Sequence, residues 1–303
     1  MSQLFLYFVS VIVLQAILYA LYYFVYRNKM SLTWNRAYLV ISPLASYALP
    51  LIDFKPIKQT SLNLGMPEHI LLDPIVLSAK IGVLQNNSWS IQEFILLGFI
   101  LVCAFIAVRF YFSLKRLLQL RYEGKQKTAY GVDYFELPEL KTAFSYFNQI
   151  YIGEKVNGSL LEGILIHEQA HSKLWHSVDL MSFELQKIVF WWNPLLYFFK
   201  KELEVTHEYQ ADATACNTVS KDNYIKNLIC FSYSEASLAF RSHFYSMSNF
   251  KQRIIMLNTF QKPRFRVLKK MALLPILALM FIYCSEQQDA DELLNNNTSE
   301  IVY

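Results

Sequence analysis

His167-Glu168-Gln169-Ala170-His171 sets two imidazoles four positions apart, with a carboxylate directly after the first. On a helix, positions i and i+4 share a face, so both rings can reach one metal ion. Zinc accepts neutral histidine nitrogens at about 2.0–2.1 Å and needs at least one further protein ligand. A catalytic site also keeps a position open for water. Glu168 then stands beside that position as the candidate base. The motif therefore requires a helix under it and a third ligand elsewhere in the chain.

The helix is legible. Asn157-Gly158-Ser159 reads as a turn, and Ser159 followed by Glu162 has capping-box spacing, which predicts a helix from Leu160. Leu161, Ile164 and Leu165 form its apolar side. The same pattern carries it through His167 and His171 to about Trp175 or beyond. Upstream, Val132 to Leu137 reads as a short strand, and Ala143 to Gly153 as one or two more, from aromatic and β-branched content.

A candidate third ligand follows on a second helix. Ile188 to Phe199 is apolar, flanked by Lys187, Lys200 and Lys201, and too short to cross a bilayer. It reads as an interfacial or buried segment with Trp191 and Trp192 at headgroup level. Asn193-Pro194 breaks it and restarts a helix from Pro194 to about Cys216, since Asn caps and Pro suits the first turn. Glu208 and Asp212 share a face of that helix. Glu208 completes a His/His/Glu zinc site, and Asp212 can hold a ligating histidine in its tautomer. Taken alone, Glu204, Glu208 and Asp212 would read as a solvated acidic stripe. His207 points about 100° away from Glu208. His176 lies off the ligand face, and it and Tyr209 are candidates for a substrate or transition-state contact. His69 and His243 have no supporting neighbours.

Composition supplies the setting. Of the 303 residues, 54% are apolar and only 17% charged, against roughly 25% charged in a soluble domain. Leu4 to Tyr26 is long enough to span, and lacks the basic start and small-residue cleavage site of a signal peptide. Arg27, Lys29 and Arg36 follow it, which predicts an outer N-terminus and an inner first loop. Tyr38 to Ile52 is a second apolar run containing Pro43 and Pro50. Residues 53–91 form a mixed outer loop, and Phe94 to Leu114 a third span with Arg109 near its inner end. Lys115, Arg116, Arg121, Lys125 and Lys127 then mark the inner side. Met271 to Cys284 is a fourth apolar run, and the acidic tail after it is placed outside. Cys103, Cys216, Cys230 and Cys284 form no CxxC pair and point to neither a disulfide framework nor a thiolate metal site.

The expected architecture is a mainly α membrane protein of about four transmembrane helices, with a cytoplasmic α+β zincin-like (gluzincin) metalloprotease domain between spans three and four. Residues 1–114 form the three-span part, 115–266 the zinc domain, 267–284 the fourth span and 285–303 a short disordered tail.

The stretches HEQAHSKLWHSVDL (167–180) and WWNPLLYFFKKELEVTHEYQADATA (191–215) resemble the membrane metallopeptidases of the beta-lactam sensors, the BlaR/MecR signal transducers. FSYFNQIYI (144–152), FKQRIIML (250–257) and the order of spans resemble that family too. The resemblance implies one zinc ion held by His167, His171 and Glu208, Glu168 as base, and a catalytic domain on the inner side of a bacterial inner membrane. It also implies a protein substrate, such as a winged-helix repressor of the BlaI/MecI type or the chain itself, with membrane lipid and a second copy as further partners. No direct nucleic-acid contact is expected. The family's outer penicillin-binding sensor is not expected here, and the trigger is then expected to act through the 53–91 loop, the spans or another protein. Two other readings are a non-proteolytic signalling adaptor with structural zinc and a prenyl-protein (CAAX-type) protease, which EYQAD also resembles.

Overall fold

The computed structural model describes residues 2–27, 30–51, 91–138, 140, 142–154, 156, 159–236 and 243–259. The expected outer loop, the turn at Asn157-Gly158, the fourth apolar run and the acidic tail lie outside the described residues.

Helix α1 (Ser2–Leu21) continues through one wider turn at Tyr22–Tyr26, and α2 (Leu32–Ala48) follows with Pro43 inside it. Ser31 caps α2 by accepting a hydrogen bond from the Trp34 amide. Helix α3 (Ile91–Glu123) has 33 residues, about 50 Å at 1.5 Å per residue, and outruns the predicted span at both ends. Phe5–Tyr26 and Ile91–Glu123 are the two helices among the described residues long and apolar enough to cross a membrane. Along α3, Ile95, Leu101, Phe105, Val108 and Phe112 are all exposed. Water does not tolerate an apolar surface that long, and lipid does.

A four-stranded sheet comes next, in the order β1-β2-β4-β3. Strands β1 (Lys125–Ala129) and β2 (Val132–Leu137) pair antiparallel across Tyr130-Gly131, whose φ values are +52° and +74°. Glycine adopts the second at no steric cost, and a two-residue turn of this hand matches the twist of a hairpin. β3 (Ala143–Tyr146) and β4 (Gln149–Gly153) form a second hairpin, and β4 runs parallel to β2. Alternate residues of β2 and β4 (Val132, Tyr134, Ile150, Ile152) bury one face of the sheet with Leu165 of α4 (Ser159–Lys173). Each such side chain contributes roughly 1.5–3 kcal/mol over exposure. The sheet thereby fixes the helix that carries the two histidines.

α4 stops at Lys173, short of the predicted end. Leu174 and Trp175 form a turn, Trp175 has φ +58°, and α5 (His176–Val189) leaves in a new direction. Asn193 then accepts from the Leu195 amide at 3.0 Å and caps α6 (Pro194–Thr218). α6 touches α1, α2, α4 and α5, together with α7 (Lys221–Ala236) and α8 (His243–Thr259). Its first half buries Leu196, Phe199 and Leu203 in one core with Leu14, Leu18, Tyr38 and Leu39 of the first two helices and Phe183 of α5. Inside that core, Asn193 Nδ2 donates to Gln15 Oε1 at 2.8 Å, and Gln15 Nε2 donates to Ser46 Oγ at 2.9 Å. The α5–α6 turn thus docks near the middle of the first helix and at the C-terminal end of α2. The apolar run Ile188 to Phe199 is divided accordingly: Leu196 and Phe199 are buried, while Tyr197 and Phe198 are exposed.

Candidate metal centre

α4 and α6 cross where His167, His171 and Glu208 meet. The two Nε2 atoms face each other at 3.1 Å. Glu208 Oε2 lies 3.5 Å from His167 Nε2, and Oε1 lies 3.5 Å from His171 Nε2. These donors are grouped closely enough to hold one metal ion. A tetrahedral ion with ligands at about 2.0–2.1 Å has donor–donor edges near 3.3 Å, and the three measured edges bracket that value. Two imidazoles, one carboxylate and an open fourth direction suit zinc as a donor set.

Each ring is oriented from behind. His167 Nδ1 is 2.9 Å from Tyr224 Oη and 3.3 Å from Asp212 Oδ1, and the Tyr224 hydroxyl itself donates to Asp212 Oδ1 at 2.6 Å. Arg253 of α8 donates through Nε and Nη2 to the two oxygens of Asp212, at 2.8 and 2.5 Å, and its Nη1 lies 3.0 Å from Glu208 Oε2. His171 Nδ1 is 2.8 Å from His176 Nδ1, whose Nε2 is 3.0 Å from Gln210 Oε1. Asp212 stands on the Nδ1 side of His167.

The electrostatics follow from two buried acids, one guanidinium and the histidines. Burial opposes the charged form of every one of these groups. For Glu208 and Asp212 it is outweighed: Arg253 and His167 hold Glu208 well below the usual carboxylate range and bring Asp212 down to about 2. For His167, too, burial is outweighed, by Asp212 and Glu208, and the ring is pushed up to about 9. His171, buried and facing the charge on His167, falls to about 3. The metal-free pair therefore carries one positive charge, on His167. Burial pushes the Glu168 carboxyl up, while His167 and a hydrogen bond from Ser145 of β3 act the other way.

Two expectations shift. His176 is 2% exposed, and Tyr209 is also buried, where it feels the charges of Arg27 and Glu202. Neither stands open to a substrate. The reason for His176 is the break after Lys173: an unbroken helix would place it about 140° round from His171, but the turn folds its ring back against the Nδ1 side of His171. Sequence reasoning missed Arg253, Tyr224, Gln210 and Ser145. Arg253 left a faint signal, because two buried acids one turn apart need a cation.

A His/His/Glu donor set with a glutamate beside the first histidine is the set that a metallopeptidase uses. Residues 147–257 match the family model described as BlaR1 peptidase M56. The match spans the whole donor set and the residues behind it, from His167 to Arg253. Two of the chain's described helices, Phe5–Tyr26 and Ile91–Glu123, are long and apolar enough to cross a membrane. No curated protein matches the chain.

Proposed function

We propose that the protein is a zinc-dependent endopeptidase embedded in the bacterial inner membrane, with its catalytic segment 115–266 on the cytoplasmic side. It acts in regulatory signalling by cutting itself, a transcriptional repressor or another protein. The observation that carries this reading is the triangle of donors at 3.1, 3.5 and 3.5 Å with Glu168 beside it. The inward placement is supported by the basic residues that follow the first and third apolar runs.

His167, His171 and Glu208 would hold the zinc. The chemistry a zinc ion supplies when bound there is Lewis acidity, which activates a water and polarises the scissile carbonyl. Glu168, with a carboxyl raised by burial, takes the proton from the attacking water and hands it to the leaving amine. Asp212 and Tyr224 keep His167 with its Nδ1 side turned away from the metal, so that Nε2 stays free to ligate. Arg253 keeps Glu208 ionised and anchors Asp212.

Replacing Glu168→Gln tests the assignment. The variant should retain zinc, measured by elemental analysis of the purified protein. It should also abolish the cleavage products that mass spectrometry finds in cells carrying the wild-type chain. Undiminished cleavage in that background would remove Glu168 from the mechanism.

A further inference from the structure

A chain of contacts leads from the proposed metal ligand His171 to helix α2. Arg36, in the first turns of α2, donates through Nε to Asp179 Oδ2 at 2.6 Å and through Nη2 to the Leu174 carbonyl at 2.6 Å. Leu174 belongs to the turn that ends α4, and Asp179 sits one turn into α5. Asp179 Oδ2 also meets His207 Nε2 at 2.9 Å. The His207 ring stacks on His176, with centroids 3.9 Å apart and planes within 7°. His176 in turn meets His171.

Hydrogen counting gives this chain a direction. A carboxylate only accepts, so His207 Nε2 carries the hydrogen shared with Asp179. His207 Nδ1 is then the bare nitrogen, and it is the buried one with no hydrogen-bond partner. Gln210 Oε1 also only accepts, so His176 carries its hydrogen on Nε2 and offers a lone pair at Nδ1. His171 must then donate from Nδ1, which leaves its Nε2 lone pair directed at the metal position. Only one tautomer of His171 satisfies the chain, and it is the one that ligates. Arg36 secures both ends of the arrangement. It fixes the turn that folds His176 back, and it fixes the carboxylate that orients the stacked His207.

We propose that Arg36 of α2 is a positioning residue for the metal ligand His171, acting through the Leu174 carbonyl, Asp179, His207 and His176. The packing of the second helix against the catalytic segment thereby governs how well the site holds its metal. This inference rests on the zinc reading above.

The test uses the full chain in detergent micelles. Zn2+ affinity is read by competition with a chromophoric chelator, and ligand geometry by the visible absorption of the Co2+-substituted protein. Arg36→Gln should lower Zn2+ affinity roughly 10- to 100-fold, the usual range for partners behind a metal ligand, and should alter the Co2+ bands. Arg36→Lys keeps the charge opposite Asp179 but loses the fork to Leu174, and should recover part of the affinity. Asp179→Asn preserves volume and gives an independent reading should Arg36→Gln not fold. It should weaken zinc as Arg36→Gln does, and the double variant should be no weaker than the worse single one. Wild-type affinity and an unchanged Co2+ spectrum in either folded single variant would overturn the inference. A wild-type chain that binds no zinc would overturn the metallopeptidase reading itself, and this inference with it.

Discussion

Replacing Asp212→Asn removes one charge and almost no volume, and its consequences can be worked out from four contacts. The carboxylate is 1% exposed. It accepts from Tyr224 at 2.6 Å and from Arg253 at 2.8 and 2.5 Å, and lies 3.3 Å from His167 Nδ1. Every one of these neighbours faces it as a donor. An amide offers one acceptor oxygen, so its NH2 group must face either the guanidinium or the Tyr224–His167 pair. Removing one partner of a buried ion pair costs about 3–5 kcal/mol. Arg253 keeps Glu208 as a second counter-ion, which argues for the lower end, about 3 kcal/mol, in the metal-free protein. Zinc affinity should fall about 10- to 100-fold, equivalent to about 1.4–2.8 kcal/mol. The Asp212 carboxyl sits at about 2, below its ordinary value of 3.8. Its stabilisation is therefore complete above the ordinary value and is lost only as pH falls through the folded one. Chelator competition at neutral pH and a thermal melt of the zinc-free protein measure the two effects separately. A variant that binds zinc within twofold of wild type and melts at the same temperature would refute the account of Asp212 as the group orienting His167.

Two further outcomes follow from the geometry. His167 stands at about 9, above its ordinary 6.5, so its proton stabilises the metal-free fold below pH 6.5 and that contribution disappears as pH rises through about 9. Zinc must displace that proton, so uptake at pH 7 should release about one proton per ion, and the release should fade above pH 9. Calorimetry in buffers of different ionisation enthalpy reads this directly, and zero release at pH 7 would contradict the assigned protonation. Gly153→Ala tests the sheet. A Cβ there would lie 2.1 Å from the Leu140 carbonyl oxygen, a backbone atom that cannot swing aside. The substitution should cost about 1–3 kcal/mol and lower the melting temperature by several degrees, and an unchanged melt would mean that the close approach does not exist.

The parts of this fold visible in the sequence are those that local pattern controls. Val132 to Leu137 reads as a strand and is one with those bounds. Asn193-Pro194 carries cap and first-turn chemistry, and the helix begins there. The donors at 167, 171 and 208 declare themselves by spacing and residue type, and the structure brings them together. What was hidden is what tertiary contacts impose. β1 reads Lys-Gln-Lys-Thr-Ala with no apolar face, and it is a strand through its pairing with β2. The break after Lys173 contains neither glycine nor proline. Leu-Trp-His-Ser-Val continues a helical pattern, and the turn is held by a carbonyl contact from Arg36, 138 positions away. That turn is what brings His176 against His171, a contact that helical spacing alone does not predict. Arg253 lies 41 positions from Asp212, a separation over which sequence spacing carries no geometric information.

α6 makes the packing against α1 and α2 and the metal site one problem rather than two. Leu196, Phe199 and Leu203 lock its first half against α1 and α2, while Glu208 and Asp212 project from its second half. Twelve residues separate Leu196 from Glu208, about 18 Å of helix. Buried His207 and Gln210 run on from the apolar residues along the shielded length of the helix. A helix resists twisting over that distance, because each turn is closed by its own hydrogen bonds. Slipping its apolar half by one residue would turn the whole element by about 100° and carry Glu208 off the histidines. The ordinary requirement that Leu196, Phe199 and Leu203 stay buried is thus also the requirement that the third donor face the first two. Substitutions deep among α1, α2 and α6 should therefore register at the metal site before they unfold the protein.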